Sequence, residues 1–409
     1  MNIRVNQNYG TRSSGLQTEE IQNKEMTQTQ IAKTLEAILD GLIERKEIHS
    51  AILSVASGDG ALRWTGTRGT ISPGDSPVTP GTPWFIASIT KLFIASTVLR
   101  MVEEGELALE DRLVDRLPAS LTDRLHVLDE EDWTNQITIE HLLNHASGLP
   151  DYIEDYPAKG RGKDCDGRSL VEILMEDGDR SWSLGETAQW VRERLRPHFA
   201  PQPLDAKRVR IRYSDTNYQL LIGIMEARRN APFFQVLEDL ILDPLALENT
   251  WIPGHPRKGG PEADVAAIYA GAEVFRLPQF LTAIGDLNST CEDLLRFLRD
   301  MVGGRLFRDA DTWRRMQARW RRFPLPLDRA ALRQPSWPIE YGLGIMRFRP
   351  PRIFTPLRPV PGVVGHTGST GTWLFHAPEP DLYLTGAVNQ MTAGPIPFRV
   401  VPEILLALS

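Results

Sequence analysis

Cysteine is nearly absent: the 409 residues hold two, Cys165 and Cys291. Two thiols so far apart give neither a disulfide framework nor a metal cluster; both are expected to be reduced or simply buried. Lysine is scarce as well, with eight residues. No stretch approaches ~18 uninterrupted apolar residues, so no transmembrane helix is expected. The first twenty residues carry no apolar run behind a basic segment and do not read as a secretory signal; the expected location is the cytoplasm. There is no His-Glu-x-x-His and no internal repeat. Positive charge is not in excess either: 46 Lys+Arg stand against 53 Asp+Glu, a net charge of −7. A mildly acidic chain is a poor general binder of nucleic acid, so neither nucleic acid nor a membrane is expected as a partner.

What is present is the composition of an ordinary soluble protein, 41% hydrophobic and 24% charged. The length suggests two or three domain-sized units, enough to bury a large core. Residues 1–26 are polar and aperiodic and read as a flexible tail. Ile31, Leu35, Ile38, Leu42 and Ile43 then recur at helical spacing over 27–45. Residues 51–56 and 61–66, around the Gly58-Asp-Gly60 turn, read as a hairpin. The stretch 70–83 is loop. Residues 88–104 are helical and apolar nearly all round, as in a helix inside a core, and Gly105 stops it. Thr138 can cap a short helix that Gly148 ends. Residues 151–203 are irregular, with helical patches at 170–175 and 187–195. Helices follow at 216–228 and 290–301, the second opened by overlapping capping-box spacings from Ser289 and Thr290. Strands are expected at 341–346, 362–368, 372–376 and 382–388, and a helix closes the chain at 398–408. The Arg- and Pro-rich stretch 305–361 reads as a solvated loop.

The simplest packing is an α+β fold: one antiparallel sheet flanked by helices and built from both chain ends, 27–115 and 275–409. An all-α domain over 116–274 is inserted between them.

Three short motifs could carry chemistry. Ser88-Ile-Thr-Lys91 is the only Ser-x-x-Lys. On a helix these two residues share a face, and a serine needs a neighbour to take its proton. Apolar flanks leave Lys91 buried at a helix N-terminus, which is expected to lower its pKa and make it a base. Tyr213-Ser-Asp-Thr-Asn-Tyr218 occupies a turn before a helix; its phenol could share a proton with Lys91, or the turn could simply be capped by Ser214 or Asp215. Gly365-His-Thr-Gly368 places small residues around a histidine on a strand, where a ligand can approach the backbone or the strand can bend.

In order and spacing this set resembles the serine β-lactamase and penicillin-binding-protein superfamily. The similarity is to its class C branch with DD-peptidases, D-aminopeptidases and β-lactamase-like esterases, and it covers nearly everything after about residue 30. Ser88-x-x-Lys91 matches the first motif, Tyr213-Ser214-Asp215 the Tyr-x-Asn motif, and His366-Thr367-Gly368 the Lys/His-Thr-Gly motif. His141-Leu-Leu-Asn-His-Ala-Ser-Gly-Leu149, Tyr218-Gln-Leu-Leu, Ser289-Thr-Cys-Glu-Asp-Leu and Tyr341-Gly-Leu-Gly also match. The resemblance implies the β-lactamase/transpeptidase-like fold, with the site between sheet and helical parts and no cofactor. Ser88 would be the acylated nucleophile, with Lys91 and Tyr213 as its acid–base system. The backbone N–H groups of Ser88 and Ser369 would form the oxyanion hole. Asp215, His366, Thr367 and Gly368 would face the substrate, His366 steering a carboxylate or carbonyl from the strand edge.

Two departures matter. Asp215 stands where the β-lactamases carry Asn, and a carboxylate cannot donate as an amide does. Position 366 is His rather than Lys, which weakens any fixed positive charge at neutral pH. Both argue for a small ester or amide as substrate rather than a dedicated β-lactam. The expected activity is a serine acyl hydrolase; a D-amino-acid peptidase or acyltransferase of the same fold is the alternative, and a catalytically silent binding protein a further one. His141 and His145, four residues apart, could hold a metal, but nothing accompanies them and structural packing is expected. Cys291, in a capped helix start, is read as structural.

Overall fold

The computed structural model describes residues 27–161, 163–257, 264–350 and 359–408. The expected tail at 1–26, and residues 351–358 of the Arg- and Pro-rich stretch, lie outside the described residues. The chain enters through α1 (Gln28–Ile43), closed by a capping box: the Gln30 N–H donates to Thr27 Oγ1 at 3.3 Å and the Thr27 N–H to Gln30 Oε1 at 2.8 Å. β1 (Ser50–Ser57) and β2 (Arg63–Gly69) form the anticipated hairpin, β2 running slightly further than its apolar residues suggest. β3 (Trp84–Phe85) leads through a single 3-10 turn into α2 (Thr90–Glu103), buried on almost every side. Gly105 follows in the left-handed region at φ +73°.

The middle of the chain is mostly helical: α3 (Leu113–Arg116), α4 (Ala119–Thr122), α5 (Ile139–Leu143), α6 (Leu170–Asp177), α7 (Leu184–Arg194), α8 (Asp215–Arg229) and α9 (Phe233–Leu237). It is not all-α, however. β4 (Val127–Leu128) pairs with β5 (Glu131–Asp132), and β6 (Ile268–Ala270) with β7 (Glu273–Phe275). Ladders of two or three residues are too short to leave a period-two signature, so the sequence pattern could not show them.

The chain then returns through α10 (Pro278–Ile284), β8 (Asn288–Ser289), α11 (Cys291–Val302), α12 (Ala310–Gln317), β9 (Arg321–Arg322), β10 (Glu340–Tyr341), β11 (Met346–Phe348), β12 (Val363–Gly368), β13 (Thr372–Ala377), β14 (Leu382–Ala387) and α13 (Pro397–Ala407). Eight strands make one antiparallel sheet in the order β2-β1-β14-β13-β12-β11-β10-β9. The first hairpin lies against the last strand, with Ile52 opposite Ala387 and Ser57 opposite Leu382. Both chain ends therefore build the sheet, as expected.

Alternation sorts its side chains into two cores. Leu53, Val55, Trp373 and Phe375 pack with Leu35, Leu39 and Leu42 of α1 and Val400, Val401 and Ile404 of α13. Ile52, Ala56 and Leu374 face the other way, onto Leu92 and Phe93 of α2 and Leu294, Phe297 and Leu298 of α11. With both faces covered, β1, β13 and β14 read as nearly continuous apolar runs. Among the described residues no helix is long and apolar enough to cross a membrane.

Two local expectations are corrected. The stretch 305–361 is not a free loop: it carries α12 and three sheet strands, and Arg329 and Arg333 reach back to Glu172 and Glu154. Residues 341–346 are not one strand. The chain breaks after Tyr341 because Gly342 and Gly344 let the backbone dip against α2 and α5: Gly344 has φ +72°, and its N–H donates to Leu143 O at 3.1 Å. A Cβ on Gly344 would stand 2.1 Å from the Ala95 Cβ. Gly344→Ala is therefore expected to cost about 2–5 kcal/mol, the sum of a left-handed backbone penalty and overpacking. The urea-unfolding midpoint checks it; an unchanged midpoint would mean that the dip is not needed.

Candidate active site

The site begins where β3 ends. β3 pairs with β8, Phe85 opposite Asn288, and the Ile86 N–H donates to Leu287 O at 2.9 Å. Ala87 then takes φ +47°, a left-handed conformation that a residue with a Cβ adopts only when its surroundings impose it. That reversal feeds the 3-10 turn holding Ser88 and the first turn of α2 holding Lys91. Ser88 is partly exposed, whereas Lys91 is 2% exposed. Lys91 Nζ donates to Ser88 Oγ at 3.2 Å, so the two residues share a face as their spacing predicts.

Lys91 also forms an ion pair with Asp215 Oδ1, at the first position of α8. The start of α8 is fixed to the segment after α5 by several bonds. The Ser214 N–H donates to His145 Nδ1 at 3.2 Å, Ser214 Oγ to Pro150 O at 2.9 Å, Thr216 Oγ1 to the same carbonyl at 2.6 Å, and the Asp215 N–H to Asp151 Oδ2 at 3.2 Å. A carboxylate at a helix N-terminus is favourably placed, and here it meets a buried ammonium.

The ion pair changes the electrostatics expected of Lys91. Burial is the largest influence and lowers its pKa, but Asp215, with Tyr213 and Asp286, outweighs it and holds the amine well above its ordinary value. Lys91 therefore rests as an ammonium, contrary to the expectation of a lowered pKa, because a counter-charge far away in sequence arrives beside it.

Tyr213 stands one residue before the α8 cap, 4% exposed, its ring 5.1 Å from Lys91 Nζ. Burial holds the phenol well above its ordinary value, while Lys91 and Ser88 act in the opposite direction. Its hydroxyl has no hydrogen-bond partner of ordinary geometry. The structure thus brings Ser88, Lys91, Tyr213 and Asp215 together.

The strand motif behaves differently. His366 is fully buried. A carbonyl can only accept, so its Nδ1 carries the proton and donates to Thr367 O at 2.7 Å, while Tyr341 Oη donates to Nε2 at 2.9 Å. Burial, helped by Lys91, lowers its pKa to about 3. His366 is thus a neutral support for Tyr341 and not a substrate-steering group on the strand edge. Thr367 is also buried, its hydroxyl 3.7 Å from Met346 Sδ. Gly368 fits the expectation of close backbone approach: a Cβ there would lie 2.8 Å from both Ala87 Cβ and Ile86 O. Ser369, exposed in the turn after β12, follows directly.

The paired histidines are structural. His141 Nδ1 accepts from the Thr138 N–H at 3.2 Å in a capping box, and its Nε2 donates to Gln202 O at 3.0 Å. His145 Nδ1 accepts from Ser214 N–H and from the Asn217 amide, and its ring packs 4.4 Å from that of Tyr213 and 4.7 Å from that of Tyr341. Among the described residues no group of three or more His, Cys, Asp or Glu could hold a metal ion. Cys291 is buried at the start of α11, and burial holds its thiol well above its ordinary value. Two carboxyls at the site went unanticipated. Asp151, fully buried, accepts from the N–H groups of Ile153, Glu154 and Asp215 and from the Gln334 amide. Asp286 precedes Leu287, whose carbonyl accepts from the Ile86 N–H beside the Ser88 turn; set between Gly285 and Leu287 and followed by polar residues, it carried no distinguishing signal in the sequence.

The Beta-lactamase family pattern matches residues 35–408. Penicillin-binding protein 4* of Bacillus subtilis (strain 168) is 25% identical over 65% of this chain and 54% of its own length. Esterase EstB of Burkholderia gladioli is 32% identical over 29% of each chain. The chain thus spans about half the length, or less, of these curated relatives. A crystal structure of D-amino acid amidase from Ochrobactrum anthropi SV3, complexed with D-phenylalanine, superposes with a TM-score of 0.69 at 21% identity, covering 92% of this chain and 98% of that one; this likeness is one of fold. With the family pattern matched along nearly the whole described chain, the protein belongs to the Beta-lactamase family, a family of hydrolases built on this fold.

Proposed function

We propose that the protein is a serine acyl hydrolase that cleaves a small ester or amide through an acyl-enzyme on Ser88. The observation that carries this reading is Lys91 Nζ, 3.2 Å from Ser88 Oγ, with the Asp215 carboxylate behind it. Lys91 relays: it takes the Ser88 proton while passing one of its own to Asp215, so no free amine is needed at rest. The alkoxide attacks the substrate carbonyl, and the N–H groups of Ser88 and Ser369 receive the developing negative charge. Tyr213, whose phenol is acted on by Lys91 and Ser88, protonates the leaving alkoxide or amine and is reprotonated from Asp215 through Lys91. Water then repeats the sequence on the acyl-enzyme.

Ser88→Ala should abolish fluorophosphonate labelling and nearly all turnover. Lys91→Arg keeps the charge but cannot relay, because guanidinium does not give up its proton; kcat/KM on a p-nitrophenyl ester should fall ~10²–10⁴-fold. An arginine variant of near-normal rate would reduce Lys91 to a fixed charge.

A pH profile separates the relay from a simple lysine base. Removing Asp215 removes the strongest influence raising the Lys91 pKa and leaves burial, which lowers it, opposed only by Tyr213 and Asp286. In Asp215→Asn, Lys91 can accept a proton only once deprotonated, so kcat/KM should drop and then climb as pH rises, where the wild type is flat. Superimposable profiles would take Asp215 out of the proton path.

The substrate range follows from the same charges. With His366 neutral and enclosed, and Asp215 in place of an amide, the carboxylate of a β-lactam meets neither a fixed cation nor an amide donor at these positions. Each missing bond to a charged group is worth ~1.5–3 kcal/mol. Short-chain activated esters should be hydrolysed readily and nitrocefin only slowly. Nitrocefin turnover equal to that of the best ester would overturn this assignment.

A further inference from the structure

We infer that the groove lined by the β4–β5 hairpin and residues 196–203 is a second binding site, for a small organic anion with an aromatic body. The inference is independent of the serine hydrolase reading: Ser88, Lys91, Tyr213 and Asp215 are not among the residues that line this groove.

Shape is the first argument. The groove has a volume of about 1210 Å³, above the usual range of small-molecule sites, so it has room for far more than a simple ion. One wall is the hairpin, where Leu128 pairs with Glu131 and Asp129 and Glu130 make the tip at φ +52° and +69°. The other wall, residues 196–203, is fixed from behind. The His198 N–H donates to Gly148 O at 2.9 Å, His126 Nε2 to Phe199 O at 2.9 Å and His141 Nε2 to Gln202 O at 3.0 Å, and His198 Nε2 lies 2.7 Å from Asp155 Oδ2. An Arg196–Asp129 ion pair at 2.7 Å ties the two walls together. The site is therefore shaped before a ligand arrives, which lowers the ordering cost of binding.

Charge is the second. In a chain of net charge −7, Arg124, Lys159, Arg161, Arg196 and Arg210 line this one groove against the carboxylates of Asp129 and Glu130. Arg196 is taken by Asp129, and Arg161 by the carbonyls of Arg192 and Leu195 at 3.4 and 2.9 Å. Arg124, Lys159, Arg210 and Glu130 make no ion pair among the described residues, so three free cations face one free carboxylate. Other arginines in this part of the chain are paired: Arg112 with Asp115, Arg168 with Asp177, and Arg212 with Asp155 and Asp328. A cleft with an excess of one sign concentrates ligands of the other.

The third argument is the apolar surface beside those cations. Trp133, half-buried, lines the groove together with Phe199, Pro197 and Pro201. The Arg210 guanidinium lies over the Phe199 ring, 4.6 Å from its centre. A guanidinium stacked in this way keeps N–H groups free for an oxyanion. An inorganic anion would leave Trp133 and Phe199 unused, and a neutral ring would leave the cations unused; a ring bearing a sulfonate or carboxylate uses both. No Ser, Thr or Cys is among the lining residues, so the groove holds its ligand without offering it a nucleophile.

The test is calorimetric titration of the full chain, at constant ionic strength, with naphthalene-2-sulfonate, its neutral sulfonamide and inorganic sulfate. The sulfonate should bind, and the other two should each bind about 10-fold more weakly or worse, the sulfonamide for want of charge and sulfate for want of a ring. Arg124→Ala and Arg210→Ala should each weaken sulfonate binding about 10-fold; both side chains are exposed, so the fold does not depend on them. Trp133→Ala should weaken the sulfonate while leaving sulfate unchanged. Protein labelled by fluorophosphonate should bind the sulfonate as unlabelled protein does. No binding at millimolar sulfonate, equal affinity for the sulfonamide or for sulfate, or undiminished binding by the Arg124→Ala, Arg210→Ala double variant would overturn the inference. So would loss of binding on labelling, which would put the sulfonate at Ser88.

Discussion

Everything at the site follows from one ammonium that is out of water. Lys91 is almost wholly buried by α2, the sheet and the rings of Tyr213 and Tyr218, and an unpaired charge there would be untenable. Asp215 meets it, and Asp215 can do so only because α8 starts at that point. The start of α8 is fixed in turn by Pro150, Asp151 and His145. The same anchoring carries Tyr213 over Lys91. Breaking one side of a buried pair commonly costs about 3–5 kcal/mol; with Asp215 partly exposed, the lower end applies. The pair thus ties a helix from one part of the chain to a helix from another, and sets the protonation state of the residue beside Ser88.

The presentation of Ser88 depends on close backbone contacts as much as on charge. Ala87 is held in a left-handed conformation by β3, by the Leu287 carbonyl and by the end of β12 passing at Gly368. Thr372 Oγ1 adds a bond to Ile86 O at 3.1 Å, so two sheet strands support the turn that presents Ser88. Donors fixed in this way need little reorganisation when charge develops, which is the benefit of placing a reactive group where rigid elements converge.

Beneath Ser88, Lys91 and Tyr213 lies a second, uncharged layer. His145, His366, Tyr218 and Tyr341 are all buried; Tyr341 donates to His366 and its oxygen lies 3.2 Å from that of Tyr218, which donates to Leu143 O at 2.9 Å. Burial keeps both histidines neutral and both phenols protonated. Such a layer can orient Tyr213 and the end of β12 without adding charge that would compete with the Lys91–Asp215 pair.

Local pattern was enough for much of this. Helical spacing and capping residues located α1, α5, α8 and α11, continuous apolar runs located β1 and the last three strands, and the lone Ser-x-x-Lys on an apolar helix pointed to Ser88 and Lys91. These features depend on neighbours within a few residues, and the sequence holds that information directly. It did not hold the partner of Lys91 or the face that His366 turns to. The first depends on a residue 124 positions away, and the second on which side of β12 the core closes. Nor could it show β4–β5 or the glycine-driven break after Tyr341, where contacts with α2 and α5 override strand propensity. The pairing of Ser88 with Lys91 is written in the sequence because it is made by residues one helical turn apart. The charge state of Lys91, the neutrality of His366 and the position of Asp286 belong to the tertiary structure, because burial and long-range pairing determine what a titratable group becomes.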